Sequence, residues 1–485
     1  MIRKLIEFFL LLGATIGVTY YAPAVTKTPF YLLLLAAYYR SKDEAPWLVL
    51  FLTISDGFWG YFSAYEVVVS LIPGLPPVEI GHLYIILAAI KAARKPDPGP
   101  FFHTTYLKFI AVYIGFLVVQ GYFMGLSSQM NVQFRMVKFL VPLSMFYSMP
   151  RLFQKEETFR DCFIYIFPMA FLALFAQVFT ITTGHTPSQM LGVYKKFWFT
   201  VDVAKGKTYR GFYSSATVLT AYFGTFYYLA KRDKFFHYLY LFAVMAACLL
   251  CVILSATRGW LIGFSLGLVL FLFFVLKISG KRLATVGLIL AGSITGLLFV
   301  PIIEKQINNA VKRFFTLEKL AGGDVTAGGT LSRISERSPR VMDKWSETPL
   351  TGWGFSDTFF KYADFHVGNQ TILLHSGILG AIIMAFFFIY YHGALLARSL
   401  QLARGHPLKE ALLTFVIFFP GWFFIHSSSG QHFSYYSDPC GGIVLPLYFT
   451  LGAFTYKISI SPKRTPGYSP PQPVDQPETS SVSPV

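Results

Sequence analysis

Four polar segments interrupt long apolar stretches between residues 210 and 380 of this 485-residue chain. They are Arg210-Gly211-Phe212, Ser255-Ala256-Thr257-Arg258-Gly259-Trp260, the run from Thr348 to Phe355, and His366 followed by Asn369 to Gly380. The residue types point to one kind of chemistry. A guanidinium is permanently charged and grips a phosphate through parallel N–H bonds. An imidazole titrates near neutral pH and can take a proton from an attacking hydroxyl. Arg258, Arg210 and His366 therefore suit a transfer in which negative charge moves onto a phosphate leaving group. A positioned base contributes about 10²–10⁴-fold, and preorganised charge usually more. Arg337 is a further candidate cation; Asn369 and His375 are candidates for supporting the histidine.

The elements that must position these residues are membrane helices. The chain is 54% hydrophobic and 13% charged, against about 25% charged in soluble domains. Apolar runs of the length that crosses a bilayer fall near 5–21, 28–38, 46–64, 77–92, 104–124, 137–149, 161–183, 215–230, 236–254, 259–277, 283–301, 369–395, 409–427 and 441–457. Two are short, so 12 to 14 spans are expected, all helical because lipid leaves backbone groups no other partner. The fold class is all-α: a polytopic bundle over 1–457 with one large extracytoplasmic loop at 302–368.

Charge placement orients the bundle. With the N-terminus inside, every expected cytoplasmic segment is basic, from Arg3 and Lys4 to Lys463 and Arg464, while outer loops 65–76 and 428–440 lack Lys and Arg. The net charge of +17 thus reads as positive-inside topology rather than nucleic-acid binding. The outer stretch 184–214 is basic at Lys195, Lys196, Lys205 and Lys207, a group suited to anionic membrane lipid or saccharide. The 302–368 segment balances nine basic against eight acidic residues. An apolar stripe at Ile303, Ile307, Ala310, Phe314, Leu317 and Ala321 predicts one helix, and Ser338 as N-cap with Pro339 predicts another. Residues 458–485 read as a disordered cytoplasmic tail. Cys248 and Cys251 have CxxC spacing but lie in an apolar run without a second pair, as packing residues do. No Walker A, GxGxxG, HExxH or Asp-x-Asp motif is present, so neither a cofactor nor a metal is expected.

In this order, the four segments resemble the O-antigen ligase and polymerase superfamily. Thr257-Arg258-Gly259 matches its Ser-Arg-Gly-like hairpin, and Arg210 loosely matches its Arg-containing segment before a helix. Pro349, Leu350, Gly352 and Gly354 match a Pro-Leu-x-Gly-x-Gly turn. His366, with Gly377 and Gly380 following, matches its histidine and Gly-x-x-Gly. The resemblance covers roughly residues 200–395. The chain departs from the pattern at Val367, where an Asn is usual, and at His375, where an acid is common. The resemblance implies a GT-C-like fold and an inverting, metal-independent glycosyltransferase. Its donor would be an undecaprenyl-diphosphate-linked glycan. Its acceptor would be lipid A-core in a ligase, or another glycan in an O-antigen or exopolysaccharide polymerase. The active site would face the periplasm from the bacterial inner membrane, with His366 as base and Arg258, Arg210 and Arg337 on the diphosphate.

Each assignment has a plainer counterpart. Interfacial arginines also anchor hairpins to headgroups, and interfacial histidines are often simply hydrogen-bonded. A lipid-linked glycan flippase or secondary transporter is the alternative of another class. It would show internal repeats and helices broken inside the membrane, and the later apolar runs show little sign of either. The topology is directly testable. A cysteine placed at Gly328 should be labelled by an impermeant reagent on intact cells, and one in the tail should not. The reverse pattern would remove the site from the outer face.

Overall fold

The computed structural model describes residues 2–58, 67–70, 76–126, 130–193, 209, 211–212, 214–277, 292, 301–321, 336–364, 366–429, 433 and 441–460. Apolar runs become helices because a helix satisfies its own backbone where water is absent. The first half holds α1 (Ile2–Tyr21), α2 (Ala24–Arg40), α3 (Ala45–Ser55), α4 (Ile80–Ala92) and α5 (Pro100–Phe123). A two-residue hairpin, β1 (Val68–Val69) with β2 (Val78–Glu79), precedes α4. Next come α6 (Met130–Leu140), α7 (Met145–Leu152), α8 (Glu156–Thr183) and the single turn α9 (Pro187–Met190). Then follow α10 (Ser215–Lys231), α11 (Tyr238–Leu254) and α12 (Arg258–Leu270), which runs into a π turn at Phe271–Val275. It continues with α13 (Pro301–Ala321), α14 (Ser338–Trp345), α15 (Asp357–Tyr362), α16 (Gly368–Gln401), α17 (Pro407–Ser429) and α18 (Gly441–Ile460).

Among the described residues, five helices are long and apolar enough to cross a membrane: Glu156–Thr183, Arg258–Val275, Gly368–Gln401, Pro407–Ser428 and Gly441–Ile460. Shorter apolar helices at Ala45–Ser55, Ile80–Ala92, Lys108–Phe123 and Tyr238–Leu254 accompany them. The protein is an all-α, multi-pass membrane protein. At about 1.5 Å per residue, the 28 residues of α8 reach about 42 Å, more than the roughly 30 Å hydrocarbon thickness. Two acids in its first turn and left-handed Gly184 after its last suit a helix start and stop.

Several expectations change in detail. The run at 46–64 is helical as α3 up to Ser55, and residues 59–66 lie outside those described. The run at 137–149 is three pieces, because Pro142 stands in a 3₁₀ turn between α6 and α7 and has no N–H to continue an α-helix. The run at 283–301 lies almost wholly outside the described residues. Ser338 opens α14 as its first residue rather than capping it; Arg337 occupies the cap position without a side-chain cap bond. In α13 the stripe is real at Ile303, Ile307 and Ala310, which are buried. The side chains of Phe314, Leu317 and Ala321 are outside the described set.

The core is aromatic. Tyr222 stacks on Phe264 at 4.2 Å, and Phe226 on Phe271 at 4.2 Å, tying α10 to α12. Phe223 meets Phe415, Phe418 and Tyr448, each at about 5.1 Å, tying α10 to α17 and α18. Helices α12 and α17 touch backbone to backbone: a Cβ on Gly263 would lie 2.6 Å from the Gly421 carbonyl oxygen. Small residues allow this approach, which drives helix association in lipid by packing rather than by hydrophobicity. Cys248 and Cys251 are fully buried in α11, and the Cys251 thiol points at the Ala170 carbonyl.

Candidate functional site

The end of α11, the starts of α12 and α16 and the end of α17 come to one end of the bundle, where Arg258 and His366 lie. The hairpin from α11 to α12 is tight: α11 ends at Leu254 and α12 begins at Arg258. Ala256 adopts a left-handed φ of 49°. The Ser255 and Thr257 hydroxyls lie 2.6 Å apart, and the Thr257 N–H donates to Ser255 Oγ. That local network sets Arg258 as the first residue of α12, half-buried. Trp260, two residues on, meets Phe212 edge-to-face at 4.8 Å.

Arg210 lies outside the described residues. Its neighbours are well held. The Tyr209 carbonyl accepts from Gln306 Nε2 at 2.9 Å, which also donates to the Leu254 carbonyl at 2.7 Å. The carboxylate of Asp56, just past α3, takes the N–H groups of Ala216 and Thr217 and the Thr217 hydroxyl, at 3.1, 2.7 and 2.7 Å. It caps α10 from a distant part of the sequence, satisfying amides that a helix start leaves open.

The turn Pro349–Gly354 does not project into solvent; it docks into a break in α16. Gly377 has φ 62° and ψ −167°, which interrupts the helix. The break releases carbonyls on one side and N–H groups on the other. The turn takes up both: Trp353 and Gly354 N–H donate to the carbonyls of Leu374 and His375, at 2.8 and 2.7 Å. Ile378 and Leu379 N–H donate to the carbonyls of Pro349 and Leu350, at 3.0 Å each. Gln120 of α5 donates to the Gly352 carbonyl at 2.7 Å and to Thr351 Oγ1 at 2.9 Å. The later helices are therefore not all unbroken, contrary to the sequence reading. An isolated glycine within an apolar run carries no local mark of a break; the partner turn that makes it favourable lies over twenty residues upstream.

His366 follows this turn. It is half-buried, and its backbone N–H donates to Asp364 Oδ1 at 2.9 Å. Asp364 also receives Arg337 Nη1 at 3.3 Å and Arg340 Nη2 at 3.0 Å. Its main-chain carbonyl accepts from the Thr371 hydroxyl at 2.9 Å. Asn369 donates to Ser427 Oγ at 2.6 Å, and Gly368 sits so close to α17 that a Cβ would lie 2.3 Å from the His426 carbonyl oxygen. Hence the start of α16 lies against the end of α17 at His426 and Ser427. Gly263, five residues into α12 from Arg258, packs on Gly421 and Ile425 of the same helix. Arg258 and His366 thus flank the same terminal turns of α17.

The sequence candidates divide accordingly. Arg258, His366, Asn369 and Arg337 come to one end of the bundle. His375 is buried in packing: its ring stacks on Phe359 at 3.9 Å and meets Phe355 at 4.9 Å. Lys195, Lys196, Lys205 and Lys207 lie outside the described residues. Sequence reasoning missed Asp364, Gln120, Asp56 and Ser427. Asp364, two residues before His366, is the only one with a local signal; the others act across long separations. No protein-family model matches the chain, and no curated protein matches it.

Proposed function

We propose that the chain is an inverting, metal-independent glycosyltransferase. It transfers an oligo- or polysaccharide from an undecaprenyl-diphosphate donor to an acceptor hydroxyl at the periplasmic face of the inner membrane. The acceptor is lipid A-core, making it an O-antigen ligase; a polymerase extending a second lipid-linked glycan uses the same chemistry. The observation that supports this reading is the approach of the Arg258 hairpin and the His366 segment to the same end of α17. Arg258 would stabilise charge moving onto the diphosphate, and His366 would take the proton from the acceptor hydroxyl. The donor already carries its leaving group, so no nucleotide or redox partner is required.

The break at Gly377 favours a second reading, since transporters commonly place interrupted helices at their substrate sites. One experiment separates the two. The purified chain should transfer glycan from an undecaprenyl-diphosphate donor in detergent, with chelator present and without ATP. Loss of activity in chelator, restored by Mg²⁺ or Mn²⁺, would show a metal requirement. Movement of donor lipid across sealed vesicles without transfer would favour transport.

A further inference from the structure

Asp364 joins two arginines to the segment that carries His366. Its residue is 8% exposed, and its carboxylate accepts three N–H groups: Arg337 Nη1, Arg340 Nη2 and the His366 backbone. Its main chain is held to the first turn of α16 by a pair of contacts with Thr371 Oγ1, at 2.9 and 3.3 Å. The side chain thus ties α14 to the segment that carries His366. Arg337, at the cap position of α14, and Arg340, in its first turn, are three residues apart and meet the same carboxylate. Like charges this close repel, and the carboxylate between them offsets the repulsion. Each guanidinium has five N–H donors and gives one to Asp364. Both side chains remain substantially exposed, at 39% and 50%, so donors are left for an anion.

We infer that Asp364 is a positioning residue that holds Arg337 and Arg340 side by side as a phosphate-binding pair and fixes the backbone from which His366 reaches its substrate. The inference rests on the glycosyltransferase reading for its consequence in turnover, but its anion site stands without it. The phosphate-bearing ligand is the diphosphate of the donor lipid. Arg340 joins the site through this carboxylate; its sequence neighbours mark it as one more charge on a solvated helix face.

Two measurements on the purified full chain test this. The first is calorimetric titration with inorganic diphosphate. Wild type should bind it with an affinity that falls as salt rises, and Arg337→Gln/Arg340→Gln should weaken binding at least tenfold. Unchanged binding after loss of both arginines would overturn the anion site, whatever the transfer assay shows. The second is a double-mutant cycle on turnover. Asp364→Asn keeps an acceptor for the His366 N–H but loses the charge that holds the arginines. It should lower kcat at least tenfold with the folded amount unchanged, and by less than threefold when both arginines are already Gln. Equal losses in the two backgrounds would show that Asp364 acts independently of the arginines. Wild-type kcat per folded molecule in Asp364→Asn would reduce it to a staple of the loop. Full activity in His366→Ala would instead overturn the glycosyltransferase mechanism while leaving the titration result standing.

Discussion

His366→Ala is expected to remove turnover, by about 10²–10⁴-fold if the imidazole is the base, while donor binding stays near the wild-type level. The argument is that the base acts on the acceptor's proton, so its loss falls on the transition state and not on the bound diphosphate. Arg258→Ala should fail differently, weakening donor binding as well as turnover. Arg258→Lys should restore only part of the activity, because an ammonium cannot reproduce the two-pronged contact of a guanidinium. Both residues sit at helix ends and are half-buried, so insertion and folded yield should stay near normal. Steady-state kinetics with donor and acceptor varied separately reads the split. Full activity in His366→Ala would refute the base assignment; misfolding of both variants would make the two residues structural anchors.

Gly377→Ala should have the second large effect, and for a reason independent of chemistry. The backbone there lies in a region open essentially to glycine alone, and an ordinary residue forced into it costs about 1–3 kcal/mol. A Cβ would also meet the Leu350 carbonyl oxygen at 2.3 Å. Both penalties bear on the joint that docks the Pro349–Gly354 turn into the helix break. The turn should detach, exposing the released carbonyls and N–H groups, and thermal stability in detergent should fall. Gly393→Ala in the same helix is the control, since a Cβ there meets nothing within 4 Å. It should be neutral or stabilising by up to about 1 kcal/mol. Equal stability of the two variants would mean that the break does not depend on the turn.

The sequence by itself determined the membrane character, the positions of the long apolar helices and the placing of Arg258 and His366 at helix ends. These are legible because a bilayer imposes a length and an apolar composition on each span, and because both are properties of contiguous residues. Thus α8, α12, α16, α17 and α18 lie where apolar runs predict them, and Arg258 opens a helix where the hairpin spacing puts it. The prediction was weaker where one residue type interrupts a run without changing its composition. Pro142 splits a short span into three pieces, and Gly377 breaks α16. Only the tertiary structure decided that the Pro349–Gly354 turn fills that break, that Asp56 caps α10, and that Asp364 joins two arginines to the histidine segment. Each of these satisfies backbone or charged groups with partners far along the chain. The demand for a partner is local, but its identity depends on which segments the packing of Gly263 on Gly421 and of Gly368 on His426 brings together.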